Sequence, residues 1–171
     1  MSKKSKMILC LLAAAAILFC WIRFQVIPGR AAKQAEYERN QKDALTHDIS
    51  VVEEFKNPYM GNAVNTTGVF GVLPFSELLA GFEMDSENCA LSVTYFGTVQ
   101  KLGEEKVRRN LVYNSAAAMA AIDNLAEVNY LFPGGSFTFR REELEEMLES
   151  TLSGLLDDQA VWNEVVRENL Y

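Results

Sequence analysis

The sequence predicts an α+β fold, a small antiparallel sheet with packed helices, preceded by one N-terminal transmembrane helix and a helical stalk. Three observations carry that reading. Residues 7–22 hold no charged side chain. Leu91, Val93 and Tyr95 alternate with Ser92 and Thr94, the period of a half-buried strand. Leu144, Met147, Leu148, Leu152 and Leu155, and later Trp162, Val165, Val166 and Leu170, recur at helical spacing.

Charge divides the 171-residue chain. Residues 1–47 carry 8 basic and 3 acidic side chains, a net +5; residues 48–171 carry 8 basic and 20 acidic, a net −12. With 49% apolar and 23% charged residues, the composition is that of a folded chain. An acidic body repels a phosphate backbone, so no nucleic-acid partner is expected.

Residues 1–6 form a basic tail with Lys3, Lys4 and Lys6. The uncharged run that follows reaches only ~24 Å as a helix, against the ~30 Å of a hydrocarbon core. Phe24, Val26 and Ile27 complete the span if Arg23 snorkels to the headgroups. Residues 7–28 therefore read as a signal anchor in the lipid bilayer, with Trp21 near its interface and Pro28-Gly29 as its stop. The competing readings are a signal peptide cleaved at Ala13-x-Ala15 or Ala14-x-Ala16, and a lipoprotein lipidated at Cys20. The first leaves too short an apolar core, and the second places Phe19 where a small residue belongs. The lysines put the N-terminus in the cytoplasm and the C-terminal body outside.

Residues 29–50 are expected to be a juxtamembrane stalk, solvated on all sides, with Glu38–Lys42 and Arg39–Asp43 as i,i+4 pairs. The outer domain spans 51–171. It enters through the turn Asn57–Asn62, followed by a short helix over 64–73 ended by Pro74. Strands are expected at 82–85, 91–95 and 109–113. Asn114 would cap an all-apolar, buried helix over 115–124. Segments 127–132 and 136–140 flank Pro133-Gly134-Gly135 as a hairpin. Two helices close the chain, the last capped by Asp157 or Asp158.

Residues with catalytic potential are few. The one histidine, His47, falls in the stalk and is expected to face solvent. That removes histidine-based nucleophile activation and zinc ligation from the domain. No glycine cluster forms a phosphate loop. Glu142–Glu149 reads as a solvated helix face, and Asp85, Glu87 and Asn88 as a strand connection rather than a calcium loop. Cys89 is the only cysteine outside the apolar run and is expected to be a small buried residue. No catalytic, cofactor or metal residue is singled out. Tyr113, Asn114, Asp123 and Asn124 remain as a candidate polar site at the two ends of the alanine helix, with helix capping as the alternative.

Asn57-Pro58-Tyr59-Met60-Gly61-Asn62, Leu73-Pro74, Leu91–Tyr95, Tyr113-Asn114 and Ile122-Asp123-Asn124 occur in that order. The pattern resembles the bacterial domain of unknown function numbered 4825, over roughly residues 52–168. It departs at Asn57, where the family has Thr, and at Ala90, where it has Gly. The resemblance implies an extracytoplasmic domain behind a membrane segment in a Gram-positive type of bacterium. It implies no catalytic residue, and relatives joined to membrane metallopeptidases imply signalling. The expected function is a non-enzymatic binding or sensing domain, with a membrane protein as candidate partner and an unidentified ligand. The alternatives are a structural subunit of a membrane complex and a cell-envelope hydrolase using carboxylates.

Overall fold

The uncharged run and its flanks form helix α1 (Lys3–Trp21), a π-helical turn (Ile22–Val26) and helix α2 (Ile27–Asn40) in a computed structural model that describes residues 3–170. Pro28-Gly29 does not stop the helix as expected. A proline ring clashes with the carbonyl four residues earlier in an α-helix. The wider turn just before it, closed by Ile27 N–H on Ile22 O, re-spaces the carbonyls there. Leu11–Asn40 is long and apolar enough to cross a membrane, and its apolar window is wholly exposed.

Contacts divide the chain into two units, Met1–Arg39 and Asn40–Tyr171. The second begins inside the expected stalk. Ala44, His47 and Ile49 are buried, and Asp48 caps a 3-10 turn (Ile49–Phe55). Lys42 pairs with Glu77, and Asp43 with Lys106 and Arg109. The stalk reading therefore fails after Asn40, because partners distant in sequence take these side chains.

Helix α3 (Ala63–Val72) begins at an Asn62 cap and ends ahead of Pro74, its bounds one residue earlier than the expected 64–73. A 3-10 turn (Ser76–Leu78) leads into the sheet, formed by β1 (Leu79–Asp85), β2 (Ala90–Tyr95), β3 (Glu127–Phe132) and β4 (Gly135–Arg140) in that spatial order. The outer pairs are antiparallel, as expected, and the central pair is parallel. Between β2 and β3 the chain crosses over through α4 (Val99–Leu102) and α5 (Glu104–Ala121), and a crossover returns a strand parallel to its neighbour.

Helix α5 corrects two expectations at once. Residues 109–113 are helical rather than a strand, and Asn114 lies in mid-helix, so it caps nothing. The stripe Val107, Asn110, Leu111, Asn114, Ala118 and Ala121 is buried at helical spacing, but asparagines hold two of its positions and hide it from a hydropathy reading. The alanine segment itself is buried as expected. One sheet face supplies Leu91, Val93, Tyr95, Val128, Tyr130 and Phe132 to the same core, with Tyr95 stacked on Phe132 at 5.1 Å.

Helix α6 (Arg141–Met147) is shorter than the leucine spacing suggests, and Met147 is exposed. Glu149 takes a left-handed conformation (φ 50°), with Glu149 N–H on Glu146 O and Ser150 N–H on Glu145 O. That pair of bonds terminates the helix. After a 3-10 turn (Leu155–Asp157), α7 (Gln159–Val165) starts on the expected Asp158 cap and buries Trp162. A last turn (Arg167–Asn169) follows.

Candidate functional site

Helix α5 is polar along part of its buried surface, and each polar group there has a fixed task. Asn110 Oδ1 accepts from Ala44 N–H at 3.0 Å. Asn114 Nδ2 donates to Pro74 O at 2.7 Å, while its buried Oδ1 has no partner among the described residues. Ser115 Oγ donates to Leu111 O at 2.7 Å, so the Tyr130 hydroxyl, 3.0 Å away, donates to it and ties β3 to the helix.

Tyr113, three residues on from Asn110, reaches the same segment of chain. Its hydroxyl lies 3.0 Å from His47 Nδ1, and its ring meets Trp162 edge-on at 5.3 Å. His47 Nε2 is 2.9 Å from Val72 O. A carbonyl only accepts, so Nε2 carries the proton and bare Nδ1 accepts from Tyr113. Burial pushes the Tyr113 phenol well above its ordinary range and lowers the His47 pKa. The histidine expected to face solvent is thus sealed in the core.

Asp123 and Asn124 lie just past the carboxyl end of α5, whose last residue, Ala121, is ~12 Å along the axis from Tyr113. The four candidates therefore form two places rather than one. At the second place the family-like turn and the helix end join. Asn57 and Ile122 form a parallel bridge, with Asn57 N–H on Ala121 O at 2.8 Å and Asp123 N–H on Asn57 O at 3.2 Å. Asn124 Oδ1 accepts from Met60 N–H at 2.7 Å, and its Nδ2 approaches Cys89 Sγ at 3.8 Å. Asn124 is not among the residues of positive φ, so it forms no left-handed cap on α5; Cys89, beside it, does have a positive φ (51°). Arg141 closes the helix end, donating to Met119, Ile122 and Asp123 carbonyls at 2.6, 3.0 and 3.1 Å and to Leu125 O at 3.0 Å.

Asp123 lines an open depression of about 390 Å³ with Lys56, Asn57, Pro58, Gly154 and Asp157. Lys56 pairs with Asp157 across it. A larger depression, about 850 Å³, lies over the uncovered sheet face and includes Glu83, Asp85, Glu87, Asn88, Ser92, Glu127 and Asn129. The sequence reading passed over it, although the polar positions alternating with Leu91, Val93 and Val128 mark that face. Asp85 takes two backbone N–H groups at 3.1 Å and Asn88 Nδ2 at 2.7 Å, which holds its carboxyl below the usual range. Glu127 pairs with Arg140 at 2.9 Å. Among the described residues no group of three His, Cys, Asp or Glu side chains is placed to hold a metal ion.

A helix-backed sheet with one face open, and the Asn57–Asn62 turn locked to the end of its buried helix, define a small α+β module. The chain belongs to the family described as a domain of unknown function (DUF4825), whose model matches residues 52–140. The match covers α3 through β4 and ends before α6, short of the stretch to 168 that the motifs suggested. No curated protein and no solved structure matches the chain.

Proposed function

We propose that this protein is a single-pass, membrane-anchored domain that binds or senses rather than catalyses, held outside the cytoplasm of a bacterium. One observation carries the reading. Large apolar side chains along α1 and the π turn stand exposed, with Ile17, Phe19 and Phe24 at 69%, 69% and 75% exposure. A run of that size in water is unfavourable by ~25 cal/mol for each Å² of apolar surface, and a bilayer removes the penalty. Lys3 and Lys4 at its start favour a cytoplasmic N-terminus. The body buries its own core and offers open polar depressions, while its only imidazole has both nitrogens engaged in the interior. Such surfaces suit recognition better than acid–base chemistry.

Protease added to intact protoplasts tests the placement. Residues 41–171 should be digested while the apolar helix stays with the membrane. Protection of the body would reverse the orientation. Appearance of intact body in the medium, cut near Ala16, would replace the anchor by a cleaved leader.

A further inference from the structure

The segment 41–48, between the apolar helix and the 3-10 turn, is fastened by a small set of polar contacts with an imidazole among them. Ala44 N–H reaches Asn110, and Arg167 donates to Ala44 O at 3.2 Å and His47 O at 2.6 Å. The His47 ring, 1% exposed, is held between the Tyr113 hydroxyl and the Val72 carbonyl. We propose that these contacts form an acid-released latch, in which protonation of His47 frees residues 41–48 while the sheet and α5 stay folded.

The geometry admits only the neutral ring without loss. A proton on Nδ1 removes the acceptor of the Tyr113 hydroxyl, whose other polar neighbours, the Arg167 guanidinium and the Trp162 indole, only donate. It also puts a second cation near the Arg167 guanidinium. The groups facing the ring are few. Helix α3 contributes the Val72 carbonyl and no ionisable side chain, α5 contributes Tyr113, α7 contributes Trp162, the last turn contributes Arg167, and Asp48 is next in the chain. Asp43, four residues earlier, is engaged with Lys106 and Arg109. Burial is the largest influence and disfavours the charged ring, as does Arg167; the Val72 carbonyl and Asp48 oppose them without overcoming them.

The sign follows from linkage. The clasped ring holds its proton less tightly than a released one, which titrates near ~6.5. Clasped and released forms are therefore both neutral above that pH, and the latch is at full strength. As pH falls below it, the released form gains a proton first, and each unit favours release by up to about tenfold until the clasped ring also protonates.

The test uses the full chain in detergent micelles. Because the chain has one histidine, its ring gives a single assignable NMR signal. That signal should titrate with a midpoint below that of a free imidazole. Hydrogen exchange of residues 41–48, corrected for the intrinsic rate, should rise at least tenfold over the same pH interval while β2 and β3 keep their protection. His47→Gln, whose amide supplies one acceptor and one donor like the neutral ring, should keep the segment protected down to pH 5. Three results overturn the proposal: titration of the ring with no change in exchange, a rise in exchange at a pH unrelated to the ring, or simultaneous opening of β2 and β3. A pH response retained in a folded His47→Gln chain overturns it as well. If that variant does not fold, the two titrations of the unaltered chain decide alone.

Discussion

Two stretches of this chain are apolar on every side, and they meet opposite fates. From Met7 to Ile22 the described side chains stand exposed, whereas Ala116–Ala121 are at most 4% exposed. Uniform apolarity therefore says that a helix must be covered, not what covers it. Two other features separate the cases. The exposed helix carries Leu, Ile and Phe, which suit a fluid cover that adapts to protruding chains. The buried one is alanine at every position of Ala116–Ala121 except Met119, which suits rigid layers approaching closely. The buried helix also carries Asn110, Asn114 and Ser115, each aimed at a particular group of the same chain.

The sharpest way to break this comparison is at a helix end. A helix end inside protein has to find partners for its last carbonyls, and in α5 Arg141 supplies them. Arg141→Met should destabilise residues 40–171 by about 3 kcal/mol, since hydrogen bonds to a charged group contribute ~1.5–3 kcal/mol each and those to Met119, Ile122 and Leu125 are partly buried. Its neighbour is the control. Arg140 is 58% exposed in its surface pairs with Glu127 and Glu143, so Arg140→Met should cost under about 1 kcal/mol. Urea midpoints of the two variants check both values, and equal losses would refute the capping role.

The same enlargement made in each helix probes the covers directly. Ala118→Leu forces a larger side chain between closely packed layers and should cost ~1–3 kcal/mol. Ala15 is exposed, so Ala15→Leu should leave the melting temperature of the body unchanged. A drop of several degrees with Ala15→Leu would mean that protein, not lipid, covers α1.

Much of this was legible beforehand. The hairpin β3–β4, the edges of α3, the Asp158 cap and the burial of the alanine segment follow from local signals: alternation, turn residues, capping residues and composition. The parallel pairing of β2 and β3 did not, because pairing direction depends on the path of α5, and α5 was read as a strand and a helix. Asn110 and Asn114 caused that error, since a polar residue in a buried stripe resembles a break in the stripe until its partner is known. His47 was misplaced for a related reason. The partners that bury it, Tyr113 and Val72, lie 66 and 25 residues away. Of the candidate site, Asp123 does border an open depression and Asn124 does bind the Asn57–Met60 turn, but Tyr113 and Asn114 serve the core.

Asn114 offers a test of intermediate size. Its Nδ2 satisfies the Pro74 carbonyl, yet its Oδ1 is itself buried without a partner. Asn114→Ala exposes one deficit and relieves the other, so the loss should be only about 1 kcal/mol. Asp123→Ala, at an exposed position, should change stability by less than about 0.5 kcal/mol. Thermal melts of both variants check the ranking. A larger loss at Asp123 would give its carboxylate a structural task the geometry does not show.

A final pair of variants places covered and uncovered surface on a single helix. Gly68 and Gly71 both lie in α3, and either would gain helix propensity as alanine. A Cβ at Gly71 meets nothing within 4 Å, whereas one at Gly68 would fall 2.3 Å from Phe55 Cδ1. Gly71→Ala should therefore stabilise the body by ~0.4–1 kcal/mol, through the narrower ensemble of its unfolded chain. Gly68→Ala has the same propensity gain but must displace the Phe55 ring. Overpacking costs ~1–3 kcal/mol, so its net effect should be a loss of about 1 kcal/mol. Opposite signs, measured in the same denaturant series, would show that cover rather than propensity decides the outcome. Stabilisation by both would mean that Phe55 yields freely and that this face of α3 is not packed.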